Sequence, residues 1–276
     1  MAITDFTSYG AMQAGPNNIV QLTKANNTSA VGKPSSLWTT GPDNGTAPTT
    51  AVAPDNTTTG AMRGFQAGGS NPLRLVRAQF SGTAISGTQP NTLMLCDRLS
   101  HQGGLSGTTT GAQTTNLPTA ALTRYTSGVG VFAALEIYTA IGTTATTVTA
   151  SYTNQAGTAG KTTLATDIGA AANNAVSRLI ILPLQQGDTG VRSVESVTLA
   201  ASTVSAAGNF GVTLFKPLAI FPLPQSFGYV QDFDPFLNLA ANMPEYLDSS
   251  CLFWVQLSGG TTSGTFQGNL WFSEDQ

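Results

Sequence analysis

From about residue 70 onward the chain alternates between short apolar or alternating runs and turn signals. The runs are Leu73 to Phe80, Thr92 to Leu99, Val129 to Ile141, Thr144 to Thr153, Arg178 to Leu184, Val191 to Ala200, Gly211 to Phe221, Cys251 to Leu257 and Thr265 to Phe272. In the last run Phe266, Leu270 and Phe272 fall on one face, with Gln267 and Asn269 on the other. Val129, Val131, Leu135 and Ile137 also share a face. A period of two over such short stretches is the pattern of a half-buried strand. Glycine-rich turns (NQAGTAG at 154–160, QQGDTG at 185–190, SGGTTSG at 258–264) separate the runs. The series predicts an all-β fold, a jelly-roll-like β-sandwich over residues 61–276. Little helix is expected. Asp234-Pro235 could cap a short helix in FLNLAAN, and the stretch from Ala165 to Ser177 is weakened as a helix by Gly169, Asn173 and Asn174.

Residues 1–60 read differently, as an extended N-terminal arm. Gly, Pro, Asn and Thr dominate there (GPNN, KPSS, GPDNGTAPTT, APDNTTTG), which leaves no room for a long helix or strand. Isolated, such a segment buries too little surface to offset its ordering entropy. It does carry apolar anchors: Ile3, Phe6, Tyr9, Ile19, Val20, Leu37 and Trp38. Anchors without a core of their own imply an arm draped over its own domain or over a neighbouring subunit, and these seven are the candidate partner-binding residues.

Composition sharpens this picture through charge. Only 9% of the 276 residues are charged, against roughly 25% in ordinary soluble domains. Threonine, glycine, alanine, serine and asparagine take their place, and threonine fits a pleated, half-exposed surface. Charge depletion is the compositional mark of interface cores. The lysines that guard exposed sheet edges are limited to Lys24, Lys33, Lys161 and Lys216, so neighbours, loops or closure must cover those edges. A formal net charge of -3 and the scatter of basic residues argue against a nucleic-acid partner. No apolar run is long enough for a spanning helix, so no membrane partner is expected. The opening MAITDFTSYG lacks a basic n-region and an apolar h-region, so export through a signal peptide is not expected.

Candidate chemistry is sparse. The single histidine, His101, has Ser100 and Ser106 nearby, without a G-x-S-x-G elbow, and reads as a loop histidine with an ordinary hydrogen bond. Cys96 and Cys251 lie in apolar runs and read as small buried hydrophobes. Asp232, Asp234 and Asn238 offer oxygens, but the glycine and terminal glutamate of a calcium loop are missing. Glu136 and Glu195, both in expected strands, are the carboxylates to inspect for glycoside hydrolysis, and each reads as an outward-facing strand residue. Gly128-Val-Gly130-Val-Phe-Ala133 matches a loose dinucleotide fingerprint, yet a strand follows it where a helix is required. The N-x-S/T triplets at Asn26, Asn27, Asn44 and Asn56 are expected by chance in so Asn- and Thr-rich a segment. These readings predict no enzyme activity, no cofactor and no metal.

The stretches LMLCDRLSHQGGLSGTTTGAQ, ALEIYTAIGTTATTVTASYTNQAGTAGKT and LPLQQGDTGVRSVESVTLAAS, with a looser match at GKPSSLW, carry a resemblance. In them the chain resembles head-associated structural proteins of tailed bacteriophages, of the decoration or minor capsid type. The resemblance implies a protein that sits on the outer capsid surface of a virion, binds the major capsid protein, cements neighbouring capsomers and often forms a homotrimer. It implies synthesis in the host cytoplasm and supplies no catalytic residue. Another virion position (coat, neck or tail) is an alternative. So is a glycan-binding sandwich of a tail fibre or adhesin, for which Trp38, Trp254 and Trp271 would be the stacking candidates.

Overall fold

The computed structural model describes residues 17–25, 30–62, 73–83, 91–170, 172–223, 228–233, 245–247, 249–260 and 265–274. In chain order its strands are β1 (Asn17–Lys24), β2 (Pro34–Ser36), β3 (Leu73–Thr83), β4 (Asn91–Leu105) and β5 (Gln113–Thr114). There follow β6 (Phe132–Thr139), β7 (Thr146–Asn154), β8 (Lys161–Thr162), β9 (Thr166–Ile168), β10 (Leu179–Ile181) and β11 (Val191–Leu199). The last are β12 (Asn209–Leu223), β13 (Tyr229–Asp232), β14 (Glu245–Tyr246), β15 (Leu252–Ser258) and β16 (Thr265–Glu274). A single 3-10 turn, Leu117–Thr119, is the helical element among the described residues.

The fold is all-β, with three antiparallel sheets packed as a sandwich. The first has the order β1-β16-β3-β13, with β14 also on β3. The second runs β10-β6-β12-β4-β15-β2, and the third β5-β11-β7-β8, with β9 also on β7. The edge strands of the second sheet, β2 and β10, meet at a bridge between Ser35 and Arg178, and the Ser36 N–H donates to the Ser177 carbonyl at 2.8 Å. The sheet is thereby nearly closed into a barrel. Its strands β4 and β12, fifteen residues each, run past both flanking sheets. Leu93, Leu95, Phe221 and Trp254 pack against the first sheet's Leu75, Phe80, Leu270 and Phe272. Farther along, Leu99, Leu135, Val212 and Leu214 pack against Val148, Tyr152, Val194 and Val197 of the third. Cys96, Ala134, Phe215, Phe253 and Val255 form a separate cluster with Trp38 and Leu179.

Shifts of register in the β12–β4 ladder at Leu214/Phe215 and Pro217/Ala219 mark bulges, which bend strands and raise their twist. Pro217 is tolerated in so long a strand because the β6 partnership ends at Phe215, so its missing N–H faces no ladder.

Every run expected to be a strand carries one. Val129 departs from its assigned face: it is 51% exposed, in a turn formed by Gly128 and Gly130, both at positive φ, and β6 begins only at Phe132. The stretch from Ala165 to Ser177 forms β9 and turns, with Gly169 at φ 92. The FLNLAAN segment and Asp234 lie outside the described residues.

The described part of the first sixty residues is built into the body. All eight residues of β1 pair with β16. Lys24 is buried at the end of that strand, where its Nζ donates to the carbonyls of Thr40, Pro42 and Asp43. Trp38 is 1% exposed, and its Nε1 donates to the Thr46 carbonyl at 3.0 Å. The loop after Trp38 can lie flat on the indole because position 45 is glycine: a Cβ there would stand 2.0 Å from a ring carbon.

Candidate functional site

The side chains with chemical potential converge where β4, β6 and β12 run side by side, under Trp38. Arg98 and Glu136 form a two-pronged ion pair, with Nη1 to Oε2 at 2.8 Å and Nη2 to Oε1 at 3.0 Å. Thr213 donates to Glu136 Oε2 at 2.6 Å, and the Tyr138 hydroxyl donates to the same oxygen at 3.1 Å. The Arg98 guanidinium lies between two rings, 4.2 Å from the Trp38 centroid and 4.4 Å from that of Phe253. His101 Nδ1 is 3.1 Å from Arg98 Nη1, and its ring stands edge-on to Trp38.

The electrostatics follow from burial. Desolvation alone would raise the Glu136 carboxyl, but the Arg98 charge and the hydrogen bonds of Arg98, Ser36 and Thr213 outweigh it and hold the group at about 2. Burial and then the Arg98 charge push His101 down to about 3, against the pull of Glu136, so its imidazole is neutral. Burial, with the neighbouring Glu136 carboxylate, pushes the Tyr138 phenol up.

Adjacent to Arg98, Asp97 carries a second buried pair. Arg124 donates to its carboxylate from Nε and Nη2, both at 2.8 Å, and the Cys251 N–H donates at 2.9 Å. Arg124 Nη2 also reaches the carbonyls of Pro54 and Arg98. Two neighbouring residues of opposite sign thus recruit partners from different elements, and both networks hold the segment from Ser36 to Pro54 against the barrel. Arg178 is buried without a carboxylate among its hydrogen-bond partners, which are Ala172, Lys33, Pro34 and Ser35.

These placements correct the expectations for Glu136 and His101 and locate the other candidate residues. Glu136 does not face outward: it is 1% exposed, because barrel closure buries both faces of β6. His101 is a strand residue at 2% exposure, paired with Thr213, and does not lie in a loop. Neither Ser100 nor Ser106 is among its hydrogen-bond partners; Ser106 Oγ contacts Thr108. Val20, Leu37 and Trp38 lie in the chain's own core, whereas Ile19 is 54% exposed; Ile3, Phe6 and Tyr9 lie outside the described residues. Trp38 and Trp254 are both 1% exposed and present no stacking surface, which leaves Trp271, half-buried beside Arg77. Glu195 lies in β11 and accepts from Thr153 and Ser193. Asp232 pairs with Arg77 at 3.2 Å. Cys96 and Cys251 are buried free thiols, as expected, and burial pushes Cys251 up to about 12. Among the described residues no group of three or more His, Cys, Asp or Glu side chains is placed to hold a metal, and no helix is long and apolar enough to cross a membrane.

A second cluster of polar groups was only half visible in the sequence. On the outer face of the first sheet, Thr23, Gln267 and Ser81 form one cross-strand row and Gln21, Asn269 and Gln79 the next. With Leu22 and Gly268 they line a concavity of about 330 Å³. None of these six side chains makes a hydrogen bond to another described residue.

Comparison with known proteins adds little to this geometry. No family model matches the chain, and no curated protein matches it. Among solved structures, the infectious bursal disease virus VP2 subviral particle aligns over 94% of this chain and 81% of that one, at 9% identity and a TM-score of 0.19. At that TM-score the alignment carries no argument about function.

Proposed function

We propose that this chain is a structural protein of a virus particle, one that binds the outer surface of a tailed-phage head and joins neighbouring capsomers, and that it catalyses no reaction. The observation that carries the reading is where the few charges go. Of a chain only 9% charged, Lys24, Asp97, Arg98, Arg124, Glu136 and Arg178 are all buried, so the exterior is poorer in ions than the composition alone implies. Apolar side chains stand on that exterior, among them Phe132 at 44%, Leu164 at 57% and Ile220 at 58% exposure. A weakly charged surface with apolar points suits shared contacts with neighbours more than life as a free monomer. The buried ion pairs supply a rigid body, and their groups are too enclosed to meet a substrate. The resemblance to head decoration proteins favours the shell over the tail. A cement protein stabilises the assembled state by binding it alone, and repeated symmetric sites multiply the effect.

Particles purified with and without the protein test this. Hundreds of copies per particle, and loss of heat resistance when the protein is absent, are the expected results. Unchanged heat resistance would refute the cement role, and a dozen copies or fewer would move the protein to a neck or fibre.

A further inference from the structure

We infer that the outer face of the first sheet is a binding groove for a neutral oligosaccharide, a role independent of the particle position proposed above. The groove is defined by its two cross-strand rows, Thr23–Gln267–Ser81 and Gln21–Asn269–Gln79. On β1, β16 and β3 every side chain in them is an amide or a hydroxyl, and the second row runs on to the half-exposed Val230 of β13, so the face offers donors and acceptors together, no net charge and one apolar end. Several amides elsewhere in the protein are engaged: Gln102 reaches Thr49 and Asn116, Gln113 reaches Ser106, and Asn154 reaches Asp188. Those of the groove have no such partners among the described residues, and the sheet sets neighbouring members of a row about 4.8 Å apart across the strands, a repeat on the scale of one sugar ring.

Charge selects the ligand class. Among the described residues no ionic side chain lines the groove. The following row, Ile19–Trp271–Arg77–Asp232, carries two ions, and Arg77 and Asp232 neutralise each other at 3.2 Å. A phosphate or sulfate ester would find no counter-charge inside. A protein partner would want an apolar centre, and the groove provides almost none. A polyhydroxylated neutral chain matches both requirements. Trp271 ends the groove with an indole that Arg77 holds, its guanidinium 5.7 Å from the ring centroid, and so offers an amphipathic edge against which a sugar ring can rest.

The test uses the full-length protein and calorimetric titration with cello-, malto-, chito- and mannohexaose, a broad printed glycan array, and a sulfated dextran oligomer as the charged control. Binding of at least one neutral glycan in the micromolar to millimolar range is expected, with no comparable uptake of the sulfated control. The double variant Gln79→Ala/Asn269→Ala, and separately Trp271→Ala, should weaken that binding at least tenfold, while Leu164→Ser, on another exposed surface, should leave it unchanged. Circular dichroism verifies folding of each variant. No neutral ligand in the panel or on the array, or affinity retained by the double variant, overturns the inference. So does the finding that Gln79→Arg dissociates an oligomer of a protein that binds no glycan, since a second copy would then own the face.

Discussion

Glu136 and Gln79 are both strand residues in the same low-charge chain, yet the barrel and the first sheet use their polar groups in opposite ways. In the barrel, closure at Ser35 and Arg178 buries both faces of β6, and Glu136 can exist there only with Arg98, Thr213 and Tyr138 around it. The outer side of the first sheet is exposed at Gln21, Gln79 and Gln267, and Gln79 and its row neighbours have no hydrogen-bond partner among the described residues. The difference is topological before it is chemical. A polar side chain on a closed sheet must be matched from within, whereas one on an open sheet is free for a ligand.

The largest test of that contrast is to remove one half of a matched pair. Glu136→Ala leaves the Arg98 guanidinium buried without its counter-charge, and the expected loss is about 3–5 kcal/mol in urea denaturation. The double variant Arg98→Met/Glu136→Leu should recover much of that loss, because a well-packed apolar pair carries no desolvation penalty. A single variant as stable as the wild type would mean that the pair is hydrated and the barrel open.

An intermediate effect comes from pH. His101 titrates at about 3 in the fold and near 6.5 when unfolded, so its contribution is complete above pH 6.5 and is lost as pH falls toward 3. Glu136, at about 2 against an ordinary 4.5, adds a second loss in the lower window, from pH 4.5 down through 2. At about 1.4 kcal/mol per unit of displacement, the histidine accounts for a loss on the order of 2 kcal/mol between pH 6.5 and 4.5. The wild-type urea midpoint should therefore drop over that interval, and His101→Gln should flatten the drop. Parallel slopes for the two proteins would place the imidazole in contact with water.

Much of this contrast was written locally, and the rest was not. Alternation in the last run put Gln267 and Asn269 outside and Phe266, Leu270 and Phe272 inside, and the structure keeps that division. The same period exists in NNIVQLTK, where Val20 and Leu22 are buried and Ile19, Gln21 and Thr23 face out. There it was masked by the surrounding Pro and Gly and by a lysine in an inward position, which three carbonyls accommodate. Glu136 was misread because a charge in a strand normally marks the solvent face. What reverses the assignment is a contact between Arg178 and Ser35, which are 143 positions apart, and no periodicity encodes it. Alignment of Gln21, Gln79 and Asn269 into one row is equally non-local, since it needs the register of three strands.

The smallest expected effect sharpens the comparison most, because it is a near-absence of change where sequence chemistry alone would foresee one. Gln79→Ala and Asn269→Ala each remove an amide from a strand, as polar a truncation as many at the barrel. Neither amide has a hydrogen-bond partner among the described residues, so no described buried group is orphaned when it goes. Each should shift stability by no more than about 0.5 kcal/mol in urea. Gln102→Ala is the matched control: its amide donates to the Thr49 carbonyl and accepts from the Asn116 N–H, and its loss should cost about 1–3 kcal/mol. If the Gln79 and Gln102 variants fall by equal amounts, the groove amides are structural after all, and the division between matched and open polar groups fails on the first sheet.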